Sequence, residues 1–209
     1  ISNAHLVYYP NYVVEENIAN VVSERPKDRI NLCYFGRVTP EKNVDVVIKA
    51  FDMLCKKYDD VFLTIIGGTG FSKEYVKDID AMIDNSPYRS HIVRKGLTPF
   101  AEIKEIMQSQ HFFVFPSKER CEGHSNSLNE AMAQGLVPIV SDYHFNRAIV
   151  GDDRMIVDGY DPQAYADKII QIRENYDLKK LSIEMRDRVK TAFSYNVVNK
   201  RIYEELKKI

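Results

Sequence analysis

The chain is poor in cysteine, and its three, Cys33, Cys55 and Cys121, stand at spacings that make no paired metal motif. So sparse and odd a set argues against a disulfide framework and for a reducing compartment, hence the cytoplasm. Net charge is nearly absent. The 29 Lys and Arg oppose 30 Asp and Glu, leaving −1, which excludes a generally basic binder of nucleic acid. No apolar run approaches the ~20 residues of a membrane span, and none of the residues forms a secretory signal. The five histidines, His5, His91, His111, His124 and His144, make no metal motif such as HExxH. Ser117, Ser125 and Ser127 lack the glycine pattern of a nucleophile elbow, so serine hydrolysis drops out. No internal repeat or low-complexity stretch is present.

What is present is 209 residues of 44% apolar content, enough for one large domain or two small ones with a sizeable core. Ser2-Asn3-Ala4 reads as an expression-tag scar and is set aside. His5 to Val14, with its Pro10-Asn11 turn signal, reads as a short strand or linker. Strands are expected at Ile30–Phe35, Val61–Ile66, His91–Lys95, Phe112–Phe115, Val137–Val140 and Met155–Val157. Between them run helical patterns. One opens at Thr39-Pro40, with Thr39 as cap, and carries Val44, Val47, Ile48, Phe51 and Leu54 at helical spacing. Others open at Ser72, Thr98-Pro99, Ser125 and Asp161-Pro162, and two more close the chain, at Leu178–Ala192 and Tyr195–Lys208. Strand–helix alternation of this kind implies an α/β fold: a Rossmann-like, doubly wound parallel sheet of about six strands. Ligands of such sheets bind beyond the carboxyl ends of the strands, where the loops at Gly36, Gly67, Gly96 and Lys118–Ser127 all fall.

Three groups of residues there carry chemistry. Arg37 directly follows a strand and Lys42 lies near the next helix start, so both could reach one diphosphate, Arg with a fork of donors and Lys with a point charge. The alternatives are a solvated Lys42 and an Arg37 paired with a local carboxylate such as Glu41. Gly67-Gly68-Thr69-Gly70 matches neither the dinucleotide fingerprint nor the P-loop and reads first as a tight turn, one that would still let backbone approach a ligand. The sharpest group is Glu122-Gly123-His124-Ser125-Asn126-Ser127, leading into a helix with Glu130. A helix start suits anions, and an ionised carboxylate accepts hydrogen bonds from a diol. A site for phosphate and vicinal hydroxyls together points to a sugar nucleotide. Paired carboxylates also occur in glycoside hydrolysis, but the phosphate-friendly groups around these argue against it.

The segment Gly36-Arg37-Val38-Thr39-Pro40-Glu41-Lys42-Asn43 resembles the "GR…EKG" segment of the GT4 family of retaining, GT-B-fold glycosyltransferases. Glu122-Gly123 with Glu130-Ala131-Met132-Ala133 and Gly135 resembles that family's E-x7-E motif. Tyr9-Pro10-Asn11 is similar to its interdomain turn, and Phe193-Ser194-Tyr195 to the start of its last helix. The resemblance implies three parts: residues 1–14 as tag scar and interdomain linker, 15–192 as the nucleotide-sugar-binding domain, and 193–209 as a helix crossing to an N-terminal domain that is missing here. It implies a donor of UDP or GDP type and no metal or other cofactor. Arg37 and Lys42 would hold the diphosphate and stabilise the charge of the departing nucleotide. Glu130 would bind ribose, and Glu122 the sugar, with Gly36, Gly68 and the amides of Gly123 to Ser127 around them. Arg94 would lie near the base. A glycan or lipid-linked acceptor would be held mainly by the missing domain, and the fragment alone would be inactive. Peripheral attachment of the full protein to the inner membrane face and dimerisation of the fragment are compatible with this reading. A non-catalytic nucleotide- or protein-binding module, or a sugar-nucleotide epimerase of GT-B architecture, are the alternatives. The sequence departs from the family at Asn43, where glycine is usual, and at His124–Ser127, where Phe-Gly is usual.

Overall fold

The computed structural model describes residues 7–68, 72–118 and 123–208. Six strands form one parallel sheet: β1 (Ile30–Phe35), β2 (Val61–Ile66), β3 (Ile92–Lys95), β4 (Phe112–Phe115), β5 (Val137–Ser141) and β6 (Ile156–Val157), in the spatial order β3-β2-β1-β4-β5-β6. Every residue of β4 and β5 is buried. A strand with no exposed face has helices on both sides, which is why these segments read as unbroken apolar runs. The order turns back between β1 and β4, whose register pairs Leu32 with Phe112 and Cys33 with Phe113. That reversal opens a crevice above the carboxyl ends of β1 and β4.

The covering helices are α1 (Val44–Cys55), α2 (Lys73–Asn85), α3 (Phe100–Met107), α4 (Asn126–Ala133), α5 (Asn146–Val150), α6 (Pro162–Asn175), α7 (Leu178–Ala192) and α8 (Tyr195–Leu206). Helix α1 packs against α2 and α6, and α4 against α7. Helix α1 buries Val44, Val47, Ile48, Phe51 and Leu54, the spacing expected of it.

The start of α1 differs from expectation. Thr39 does not cap it, and its buried hydroxyl has no partner among the described residues. Residues Pro40–Lys42 make one 3-10 turn, Asn43 then takes a left-handed conformation (φ 49°, ψ 46°), and the helix begins at Val44. Thr98 likewise does not cap α3; its hydroxyl donates to the Gly96 carbonyl. Asp161 and Ser125 do cap, accepting from the amides of Gln163 and Leu128. The short α5 was not foreseen. Residues 7–14 form an extended strap that joins α8 through one bridge, Val13 N–H to the Phe193 carbonyl and Tyr195 N–H to the Val13 carbonyl. Of the apolar stripe on α8, Val198 is buried, Ile202 is half-buried and Leu206 is 57% exposed. Among the described residues no helix is long and apolar enough to cross a membrane.

Candidate functional site

The loops after β1, β2 and β3 are laced into one platform. Gly36 N–H donates to the Ile66 carbonyl, Val38 N–H to the Gly68 carbonyl, and Gly67 N–H to the carbonyls of Lys95 and Gly96. Glycine is required at position 67: its φ is +149°, and a Cβ there would stand 1.8 Å from the Gly36 carbonyl oxygen. Thr69 and Gly70 lie outside the described residues, so the full tight turn expected there is not described.

From the β1 side Arg37 is exposed and Lys42 is only 4% exposed, which overturns the alternative of a solvated surface lysine. The Lys42 ammonium lies 5.1 Å from the Phe115 ring centroid, at the end of β4. The loop after β1 is held from below, because Tyr34 OH donates to the Arg37 carbonyl at 2.5 Å. It is tied sideways to the loop after β4 by Lys118 N–H to the Glu41 carbonyl and by Asn43 Nδ2 to the Pro116 carbonyl, both at 2.8 Å.

Across the crevice stands the start of α4. A pocket of about 400 Å3 is lined by Asn11, Phe35, Gly36, Arg37, Lys42, Gly123, His124, Ser125, Asn126, Ser127 and Glu130. It therefore gathers nearly all of the expected constellation at the point where the strand order reverses. Its floor is cationic from one side, and the first turn of α4, whose amides have no partner within the helix, faces it from the other. Burial pushes the Glu130 carboxyl up to about 7. Glu122 lies outside the described residues.

Two expected residues are placed elsewhere. Gly68 and Arg94 line a neighbouring groove of about 650 Å3 with Gly67, Asp80, Gly96 and Leu97. Arg94 is committed there: Nε to Asp80 at 3.2 Å, and Nη1 to the carbonyls of Gly67, at 2.9 Å, and Lys95. Leu97 beside it is 92% exposed, an apolar face at the mouth of the groove. His124 is in the pocket wall, but its ring nitrogens face the strap and α4: Nδ1 meets Tyr8 OH at 3.0 Å and Nε2 meets Asn129 Oδ1 at 3.1 Å. Asn11, Asn129 and Phe35 were not foreseen as site residues. The signal was slight. Asn11 shows only as a turn residue and Asn129 as a polar residue on an otherwise closely packed helix.

A larger cavity, about 730 Å3, opens at the opposite edge of the sheet, by Ile30 and His111. Two of its polar side chains, Arg25 and His111, hold the fold. Arg25 donates to the carbonyls of Ser23, Gln110 and Gln134, and the two His111 nitrogens are taken by Asn31 N–H and the Pro26 carbonyl. The smaller crevice at the switch point has the chemistry, and it is the candidate site.

Comparison with known proteins bears on the family and the fold. Residues 15–192 match the family described as Glycosyl transferases group 1. The chain is 27% identical over 198 residues to the uncharacterized glycosyltransferase MJ1069 of Methanocaldococcus jannaschii, covering 90% of this chain and 46% of that one. It is 24% identical over 185 residues to the capsular polysaccharide biosynthesis glycosyltransferase CapM of Staphylococcus aureus, covering 86% and 45%. The chain thus spans about half the length of the curated relatives it matches. In fold it is similar to the pneumococcal O-GlcNAc transferase GtfA, solved with UDP and GlcNAc (TM-score 0.72, 20% identity, 91% of this chain and 38% of that one). It is also similar to Anabaena Alr3699/HepE, solved with UDP and glucose (TM-score 0.73, 18% identity, 87% and 49%). The sheet and its flanking helices are those of a Rossmann-like half of a GT-B fold.

Proposed function

We infer that this chain, which belongs to the group 1 glycosyltransferase family, is the half of a retaining, GT4-type enzyme that holds the sugar-nucleotide donor. One observation carries the reading: Arg37 and Lys42 from the β1 loop share a single pocket with Glu130 and the first turn of α4. Cationic groups and free helix amides answer a diphosphate, and a carboxylate answers a diol. The neighbouring solved structures that hold UDP favour a uridine or related nucleoside diphosphate.

In this arrangement the diphosphate lies between Arg37, Lys42 and the amides of residues 123–127. Glu130 accepts from the ribose hydroxyls, and Glu122 from the sugar. The base extends over Gly68 towards Leu97 and Arg94. During transfer the bond from the anomeric carbon to the phosphate oxygen breaks, and one to the acceptor hydroxyl oxygen forms on the same face. The acceptor hydroxyl proton passes to the departing phosphate oxygen, and Arg37 and Lys42 stabilise the negative charge that remains on the nucleoside diphosphate. That charge stabilisation is supplied by side chains of this domain, without a metal. The acceptor, a glycan or lipid-linked sugar, is held mainly by a second domain, so the 209 residues alone bind donor and do not turn it over.

Titration of the folded chain with UDP, GDP and their glucose and mannose conjugates, followed by calorimetry or amide shifts, tests this. Weak binding of one nucleotide series is expected, with Glu130→Ala weakening nucleotide and nucleotide sugar alike and Glu122→Ala weakening only the sugar-bearing form. No binding of any of them at millimolar concentration would refute the donor reading. Equal losses in both variants would refute the division of roles.

A further inference from the structure

The strap and the pocket wall are joined by a closed ring of side-chain hydrogen bonds. Asn11 Nδ2 donates to the His124 carbonyl at 2.5 Å, and Asn129 Nδ2 donates to the Asn11 carbonyl at 3.1 Å. Because the Asn129 amide nitrogen is so used, its oxygen must accept, and the group it accepts from is His124 Nε2–H at 3.1 Å. That leaves His124 Nδ1 as the acceptor of a neutral ring, so Tyr8 OH donates to it at 3.0 Å. The network thereby selects one tautomer. The ring is fixed from other sides too. Its edge meets Phe193 with centroids 4.6 Å apart, and Tyr8 stacks on Phe145 of the loop after β5 at 5.6 Å. Burial and the cations Arg188 and Arg201 hold the His124 imidazole below its ordinary range, in keeping with the neutral form.

We propose that His124 is a positioning residue of the donor site, which Tyr8 and Asn11 of the strap hold in place so that donor binding and strap order are coupled. This rests on the donor reading of the pocket. The physical reason is adjacency. His124 lines the pocket between Gly123 and Ser125, while its ring nitrogens are engaged by Tyr8 of the strap and Asn129 of α4. Asn129 and Glu130 are consecutive on α4 and so about 100° apart around its axis. The first is 1% exposed and bonded to the strap and His124, and the second lines the pocket. A strap that lets go releases the loop and the helix turn that face the diphosphate and the ribose. A ligand that orders them must correspondingly favour the docked strap.

The decisive variant is Tyr8→Phe. It removes one hydroxyl from a side chain that is 51% exposed and does not line the pocket, so any effect on binding passes through His124. The probes are UDP-glucose and GDP-mannose, titrated into the 209-residue chain. Tyr8→Phe should lower affinity for the bound probe about three- to tenfold, the range of one hydrogen bond. In a His124→Leu background the same change should cost nothing further. In the unaltered chain the amides of Val13 and Tyr195, which tie the strap to α8, should exchange more slowly when the probe is bound, and Tyr8→Phe should abolish that slowing. If the unaltered chain binds a probe while Tyr8→Phe binds it equally well and the strap amides do not respond, the coupling is refuted and the donor reading stands. If the folded chain binds neither probe, the donor reading falls and the positioning role with it. Should His124→Leu not fold, the affinity and exchange of Tyr8→Phe alone decide, together with the nitrogen-15 shift of His124 Nδ1, which loses its acceptor signature in Tyr8→Phe if the ring of bonds is as described.

Discussion

The Asn43 side chain donates to the carbonyl of Pro116, 2.8 Å away, from a backbone that stands at φ 49°. One residue thus serves two ends. It takes the left-handed turn that glycine would take between Lys42 and α1, and it binds the loop after β1 to the loop after β4. Asparagine tolerates that conformation better than most residues with a Cβ.

This yields an ordered pair of variants. Asn43→Gly keeps the turn and loses the buried bond, a cost of about 1 kcal/mol. Asn43→Ala loses the bond and must also hold a Cβ at positive φ, a further ~1 kcal/mol. Urea unfolding should rank the unaltered chain above Asn43→Gly and that above Asn43→Ala. If alanine proved as stable as glycine, the left-handed turn would not be a constraint at this position.

The neighbouring glycines offer a second contrast. An added Cβ on Gly67 would collide with the Gly36 carbonyl at 1.8 Å, whereas on Gly68 the nearest atom is Leu97 Cβ at 3.7 Å, ordinary contact. Gly67→Ala should cost about 3 kcal/mol, as overpacking against backbone does, and displace Arg37 with the Gly36 turn. Gly68→Ala should fold as the unaltered chain does. Equal thermal stability of the two variants would contradict the close approach of the β1 and β2 loops.

How far the sequence could be read follows from where each determinant lies. The strands Phe112–Phe115 and Val61–Ile66 announce themselves because burial on a sheet is written in consecutive apolar residues. The crevice was legible for the same reason: strand ends locate the loops, the loop after β1 carried Arg37 and Lys42, and the loop after β4 led into the helix with Glu130. What could not be read depended on partners far along the chain. The turn of Asn43 needs a carbonyl 73 residues on. The orientation of His124 needs Tyr8, 116 residues back. Arg94 looks like a free cation in its strand, yet Asp80 and the Gly67 carbonyl engage it. Helix α5 has only five residues, too few to show a period.

Two of the three cysteines are removed from chemistry by the core. Cys33, on the central strand β1, is buried completely, and burial pushes its thiol up to about 12. Cys55, at the end of α1, is also raised to about 12, by burial first and then by Asp52 and Asp60. The thiolate is the reactive form. At about pH 8, brief iodoacetamide treatment of the native chain followed by peptide mapping should therefore leave both unmodified, with both labelled in urea. Rapid native labelling of Cys33 would be incompatible with its complete burial on the central strand.

In the proposed donor site, Glu130 would link the stability of the fold to the ligand. Burial holds its carboxyl at about 7, above the ordinary 4.5, so the folded chain keeps a proton that the unfolded chain releases. Its contribution to stability is fully present below the unfolded value and is lost as pH rises through the folded one, because ionising the group inside the pocket costs more than ionising it in water. The group is partly exposed, so solvent reduces the cost to about 1–2 kcal/mol. Glu130→Gln removes the charge and keeps the shape. It should match the unaltered chain near pH 4.5 and exceed it by about 1–2 kcal/mol at pH 8 in urea unfolding, the gap opening between those values. Binding should run the other way. If, as proposed, the ionised carboxylate holds the ribose diol, the affinity of the unaltered chain for a nucleotide sugar, whose diphosphate does not titrate near neutrality, should fall about tenfold per unit below pH 7 and level off above pH 8. The Gln variant should bind weakly and without that pH dependence. A Gln variant less stable than the unaltered chain at pH 8 would mean that Glu130 is an ordinary solvated glutamate. Affinity of the unaltered chain that stays flat across neutrality would mean that the ribose is held by some other group.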